Sequence, residues 1–145
     1  MRMQILSRGT ERSFALVFET GEEPVELITT FAAEHHTRAA RFSAIGAFSD
    51  AVLGYFDWQK KDYEKIRIAE QVEVLSLLGD IALADGKPKL HAHVVLGKRD
   101  GTAHGGHLLE ARVRPTLEVI LTESPSHLER VHDPETGLPL IRIGS

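Results

Sequence analysis

The sequence predicts an α+β fold: a mostly antiparallel β-sheet with one principal packed α-helix. Three observations predict it. A single early stretch, "TGEEPVELITTFAAEHHTRAA", carries helical periodicity. From Ala40 to Glu123, alternating or β-branched runs follow one another, separated by Gly, Asp and Pro turn signals. At 145 residues, 42% hydrophobic and 26% charged, the chain has the size and balance of one globular domain spanning residues 1–145.

The elements follow in order. Met3 to Arg8 and Ser13 to Glu19 read as two short strands joined at Gly9–Thr10. Pro24 suits a first helical turn, and Glu22, Glu23 and Glu26 sit near the positive end of the helix dipole. Ile28, Phe31, Ala32 and His35 recur at helical spacing, which predicts a helix over residues 24–37 that His35 and His36 close. "ARFSAIGAFSDAVLGYFDWQ" reads as two strands divided near Ser49–Asp50, with Trp58 assigned to packing. "YEKIRIAE" alternates as a half-exposed strand, and "QVEVLSLLGDIAL" follows as a more buried one before the turn "ADGKPK". "LHAHVVLG", "TAHGGHLLEARV" and "TLEVILTE" are further strand segments, and the proline-marked tail holds one last short strand.

Composition narrows the chemistry. There is no cysteine, so disulfides, thiolate catalysis and Cys-type zinc sites are excluded, leaving His, Asp and Glu as ligands. The formal charge is −4 and the pI near 6.0, so no global basic field attracts a phosphate backbone, and direct DNA binding is disfavoured. Arg38/Arg41, Lys60/Lys61/Lys65 and Arg112/Arg114 are scattered among acids. The first residues lack the apolar core of a signal peptide, and no run reaches the roughly 18 apolar residues of a membrane span. A cytoplasmic protein with no membrane partner is expected.

Four of the eight histidines fall in "HAHVVLGKRDGTAHGGHLLE", residues 91 to 110. Side chains alternate along a strand, so His91 and His93 share a face, their Cα atoms about 6.6 Å apart. A two-residue turn at Asp100–Gly101 would place His107 on the opposite face from them. A three-residue loop, Arg99-Asp100-Gly101 with Gly101 left-handed, sets Lys98 against Thr102 and His93 against His107. Hydrophobicity selects the second register: Leu90, Ala92, Val94 and Leu96 then share a face with Leu108, whereas the alternative pairs them with His107. His91, His93 and His107 converge on the other face. Without thiolates, three imidazoles suit a divalent ion, most plausibly zinc, with a fourth position left for water or a partner group. Polar residues at a subunit interface or on an exposed sheet face would show the same alternation.

His104 falls on the Leu-rich side or at its edge. His127 and His132 lie in a polar tail and read as solvated. Glu118, amid the apolar residues of "TLEVIL", is either a carboxylate in the second shell of a metal-bound histidine or an outward-facing strand residue. Asp80 and Asp85 sit beside glycine turns and need no function.

"HAHVVLGKRDGTAHGGHLLEARVRPTLEVILTE", preceded by "VEVLSLLGDIAL" and "FSAIGAFSDAVLGYFD", resembles the plants-and-prokaryotes conserved (PPC) domain over nearly the whole chain. The resemblance implies an α+β fold assembled as a homotrimer, with metal on His91, His93 and His107 as in histidine-bearing prokaryotic members. In plants the domain follows an AT-hook that binds the minor groove. This sequence has no such element.

Three functions compete. One is a homotrimeric zinc-binding module of binding or regulatory type, contacting a protein or small-molecule ligand. Another is a metal-dependent enzyme of hydrolase type, using metal-activated water with Glu118 as the nearest proton acceptor. The third is a transcription-associated DNA-binding protein. The module ranks first, the enzyme second and DNA binding third.

Overall fold

The structure, a computed structural model, describes residues 1–143 and, within the first strand, the side chains of residues 2, 3 and 5. Gly144 and Ser145, which the single-domain expectation includes, lie outside the described residues. Two strands, β1 (Arg2–Arg8) and β2 (Arg12–Glu19), form an antiparallel hairpin. Helix α1 (Pro24–Glu34) follows, then β3 (Ala39–Asp57), β4 (Asp62–Ile68), β5 (Val72–Ala84), β6 (Lys87–Gly97), β7 (Ala103–Glu123), β8 (Glu129–His132) and β9 (Pro139–Arg142). Among the described residues there is one helix, and no helix is long and apolar enough to cross a membrane.

The sheet is mixed. All neighbouring strands pair antiparallel except β5 and β8, which run parallel over Leu83–Glu129 and Ala84–Arg130. Four strands close on themselves, because β3 pairs with β5 and β7, and β6 pairs with both of those. Closure removes free edges from this part of the sheet. It also places β6 and β7 side by side, which builds the histidine hairpin.

Alternation decides what enters the core. Along β2, Phe14, Leu16 and Phe18 are buried while their neighbours face outward. They meet Ile28, Phe31 and Ala32 of the helix, with Phe14 and Phe31 edge to face at 5.2 Å, a geometry worth about 0.5–1.5 kcal/mol beyond area burial. Helix α1 packs against β6 and β7. Glu23 caps its start: one carboxylate oxygen accepts from Glu26 N–H at 2.6 Å, and the other accepts from Ala111 N–H of β7 at 3.1 Å. The same side chain thus satisfies a free helix donor and ties the helix to the strand carrying His107.

The helix ends three residues before the predicted boundary. His35 is its C-cap, and His36 takes a left-handed φ of 54°. The amides of His36 and Thr37 bond back to Ala33 and Ala32, closing a Schellman-type stop. The His35 ring stacks on Phe31 at 4.0 Å, so both histidines serve the helix terminus.

Residues 39–57 form one strand rather than two. The expected break near Ser49–Asp50 is a register shift where β3 exchanges β5 for β4 as its neighbour, while β7 continues on the other side. "TAHGGHLLEARV" and "TLEVILTE" likewise join as one 21-residue strand, and the tail holds two short strands rather than one. A bulge bends a strand without ending it, and its local sequence resembles a turn. Trp58 is 64% exposed, touching Phe56 edge to face, because it follows β3 at an open turn.

Candidate metal centre

The hairpin takes the three-residue register. Gly97 pairs with Ala103 and His93 with His107, so Lys98 stands opposite Thr102. Lys98 N–H donates to Thr102 O at 2.9 Å, and Gly101, with φ of 83°, returns its N–H to Lys98 O. Asp100 fixes the loop by accepting from the backbone N–H and hydroxyl of Thr102. Ala92, Val94, Leu96 and Leu108 are buried on one face, which leaves His91, His93 and His107 on the other.

The three imidazoles converge. Their candidate ligand nitrogens lie within 4.8 Å of one another. His91 Nε2 and His93 Nε2 are 3.2 Å apart. Two nitrogens bound tetrahedrally to zinc at about 2.05 Å stand roughly 3.3 Å apart, so this pair already has the spacing of one edge of a coordination tetrahedron. Ring adjustment of at most about 1.5 Å, the difference between those spacings, would bring the third nitrogen to the same edge length. His107 Nδ1 is buried with no hydrogen-bond partner, an unusual condition for a polar atom. A set of three imidazoles with an orphaned ring nitrogen fits a divalent cation.

Burial, with help from neighbouring charges, disfavours the charged form of His91 and His107. Burial pushes the His107 pKa down to about 4, with repulsion from His91, His93 and Lys89 adding to it. Burial lowers His91 as well, then the Arg130 guanidinium and His93, against an opposing pull from Asp80. Neutral imidazole is the form that coordinates metal. Both groups titrate below the unfolded value of about 6.5, so the unfolded chain binds more protons and native stability falls as pH drops from there toward 4. Thermal unfolding of chelator-treated protein should therefore show a Tm lower at pH 5 than at pH 7. An equal or higher Tm at pH 5 would contradict neutral burial of these rings.

Two residues that the sequence did not flag complete the surroundings. Tyr63 of β4 stacks on His107 at 4.6 Å. It can lie there because Gly54, the β3 partner of His107, has no side chain; a Cβ at Gly54 would fall 2.7 Å from the Tyr63 ring. Arg130 of β8 has a side chain only 5% exposed, donates to Asp80 and to Pro139 O, and leaves its Nε–H unpaired. Asp80 stands directly opposite His91 in the β5–β6 ladder. Its setting in "LLGDIAL", an acid within an apolar strand, is the signal that drew attention to Glu118, whereas Arg130 sits in a tail with no periodicity.

The structure does not bring Glu118 to the triad within one chain. It is exposed, paired with Ile45 and Val17, eleven residues beyond His107 along β7, or roughly 35 Å of strand. Asp80 is the carboxylate placed beside a candidate ligand. His104 is half-buried opposite Leu96, as expected for the edge of the Leu-rich side. His127 and His132 are exposed.

A cavity of about 380 Å³ opens beside the triad. His91 and His107 line it with Tyr63, Lys89 and Arg130, and Val25, Leu90, Leu109 and Leu140 contribute hydrocarbon.

Fold and site together define a small mixed-sheet protein that presents three strand-borne histidines, two of which line a cavity. The chain belongs to the Plants and Prokaryotes Conserved (PCC, also written PPC) domain family, whose model matches residues 6–125. A metal-containing protein of Archaeoglobus fulgidus is 39% identical, with a TM-score of 0.83 over 98% of this chain and 97% of that one. A PPC protein of Pyrococcus horikoshii is 31% identical, with a TM-score of 0.85 over 99% and 96% of the two chains. A candidate DNA-binding protein from Ralstonia eutropha is 28% identical, with a TM-score of 0.87 over 97% and 96%. Among curated proteins, none matches.

Proposed function

We propose that this protein is a homotrimeric module that holds zinc on His91, His93 and His107 and acts through binding or regulation. The observation that carries the reading is the 3.2 Å Nε2–Nε2 approach of His91 and His93, with His107 completing the cluster. Three nitrogen donors and no thiolate suit zinc, with a fourth position open toward a ligand. Similarity to a metal-containing archaeal protein at 39% identity supports the same choice. Asp80, opposite His91, is the carboxylate we assign to orienting that ring; Glu118 would take such a role only across a subunit boundary.

The trimer reading rests on apolar side chains at outward sheet positions. Leu78 and Ile120 both pair with Ser43 and so flank it in one row, 59% and 48% exposed. Ile45 and Leu75, 62% and 55% exposed, extend the same kind of surface. An apolar area of this sort on a small domain marks an interaction site. Light scattering should give about 48 kDa, three times the chain mass of 16.1 kDa. A monomer mass at micromolar concentration would overturn it.

A metal-dependent enzyme ranks below the module because Glu118, the proton acceptor that reading needs, is exposed and eleven residues beyond His107 along β7. DNA binding ranks third: the relative from Ralstonia favours it, while the net charge of −4 opposes it.

A further inference from the structure

We infer that the cavity beside the triad is a binding site for a small organic acid, a monocarboxylate with a hydrocarbon body. The cavity joins two chemistries. Its polar lining includes the His91 and His107 rings with the cations Lys89 and Arg130, whose charges act on those two rings. Elsewhere the wall is hydrocarbon, from Val25, Leu90, Leu109, Leu138 and Leu140. Charge complementarity favours an anion: Lys89 and Arg130 line the cavity and no carboxylate does among the described residues. Asp80, outside the lining, offsets part of the Arg130 charge and leaves Lys89 as the uncompensated cation.

A polar group left without a partner points the same way. Apart from the His107 nitrogen assigned to the metal, one buried side-chain polar atom without a hydrogen bond among the described residues, Arg130 Nε, belongs to a residue lining this cavity. Such atoms are normally satisfied by protein, water or ligand. The guanidinium is held by Asp80 and Pro139 O, which fixes the direction of its unpaired Nε–H. Its volume lies within the range of small-ligand sites, about 300–1,000 Å³. The apolar wall demands more than a bare inorganic anion. Arg130, Leu138, Pro139 and Leu140 all come from the tail hairpin, beyond residue 125 where the family match ends. The proposal rests on the metal reading only for an added contact to the carboxylate; the cavity and its two cations stand without it.

The probe is octanoate, titrated calorimetrically into the full chain, zinc-loaded and metal-free, with acetate and octylammonium as controls. Octanoate should bind the zinc-loaded protein more than about tenfold tighter than acetate, a conservative share of the roughly 0.8 kcal/mol that each buried methylene contributes. It should also outbind octylammonium. Leu140→Asp, at a 43% exposed position where substitutions usually move stability little, should weaken octanoate at least about fivefold and leave zinc content unaltered. Lys89→Glu should weaken octanoate in both forms. Zinc binding with octanoate no tighter than acetate would overturn this proposal alone. Octanoate binding by a protein that takes up no zinc would leave it standing and overturn the metal reading. Octanoate affinity unchanged in Leu140→Asp would place the hydrocarbon elsewhere and reject the site.

Discussion

His93→Ala should lose zinc while keeping its fold. The wild-type chain, dialysed against dilute zinc, should retain one ion per chain, and the variant close to none. Outer-shell changes already cost about 10–100-fold in metal affinity; removal of one of three protein ligands should exceed the upper end of that range. His93 is the informative choice because it is exposed, where substitutions usually move stability by no more than about 0.5 kcal/mol. His107→Ala would be ambiguous, since that ring packs against Tyr63 and its removal leaves a gap. Zinc content should be read beside the unfolding temperature of chelator-treated protein. Unchanged stoichiometry in His93→Ala would remove the triad from consideration.

The largest effect on folding is expected at Gly46. Its φ is 154°, and a Cβ built there would lie 2.3 Å from Thr116 O and 2.7 Å from Leu117 Cα. These are backbone atoms of β7 that no rotamer change can move aside. Gly46 marks the register shifts that bend β3 between β5 and β7, so the same backbone passage sets Gly54 opposite His107 further along. Gly46→Ala combines conformational strain with overpacking, each about 1–3 kcal/mol, for a total near 3 kcal/mol. At about 2–4 °C per kcal/mol for a domain of this size, Tm should fall by roughly 10 °C. Gly86→Ala is the control. Its φ is 74° but nothing lies within 4 Å of the added Cβ, so left-handed strain alone should cost about 1–2 kcal/mol. Equal losses in the two variants would show that steric conflict with β7 is not what fixes Gly46.

Where one periodicity dominated, the sequence was legible. Helix α1 starts at Pro24 as expected, because Pro24 and the preceding acids specify a start independently of tertiary contacts. The histidine hairpin was legible for a different reason: only one loop length keeps Leu90, Ala92, Val94 and Leu96 with Leu108. Long bent strands were harder. At Ser49–Asp50 the chain exchanges one neighbour while keeping another, and no local pattern distinguishes that from a turn. Residues that meet the site from remote strands were beyond reach. Tyr63 reaches His107 only because β4 pairs with β3 over Gly54, and Arg130 reaches Asp80 only because the tail returns parallel to β5. Asp80, set aside as a residue beside a glycine turn, lies within β5 opposite His91, and the apolar run around it was a readable signal. Its partner was not, since it depends on a two-residue parallel pairing that alternation cannot predict.

The central claim is that His91, His93 and His107 jointly hold one divalent ion. An anomalous difference map at the zinc edge, from crystals grown with zinc, tests it most directly. The predicted result is a single strong peak per chain about 2.0–2.1 Å from His91 Nε2, His93 Nε2 and one His107 ring nitrogen, with a fourth ligand directed toward the cavity. A map with no peak at the triad, or with peaks only at His35, His36, His127 or His132, would contradict it.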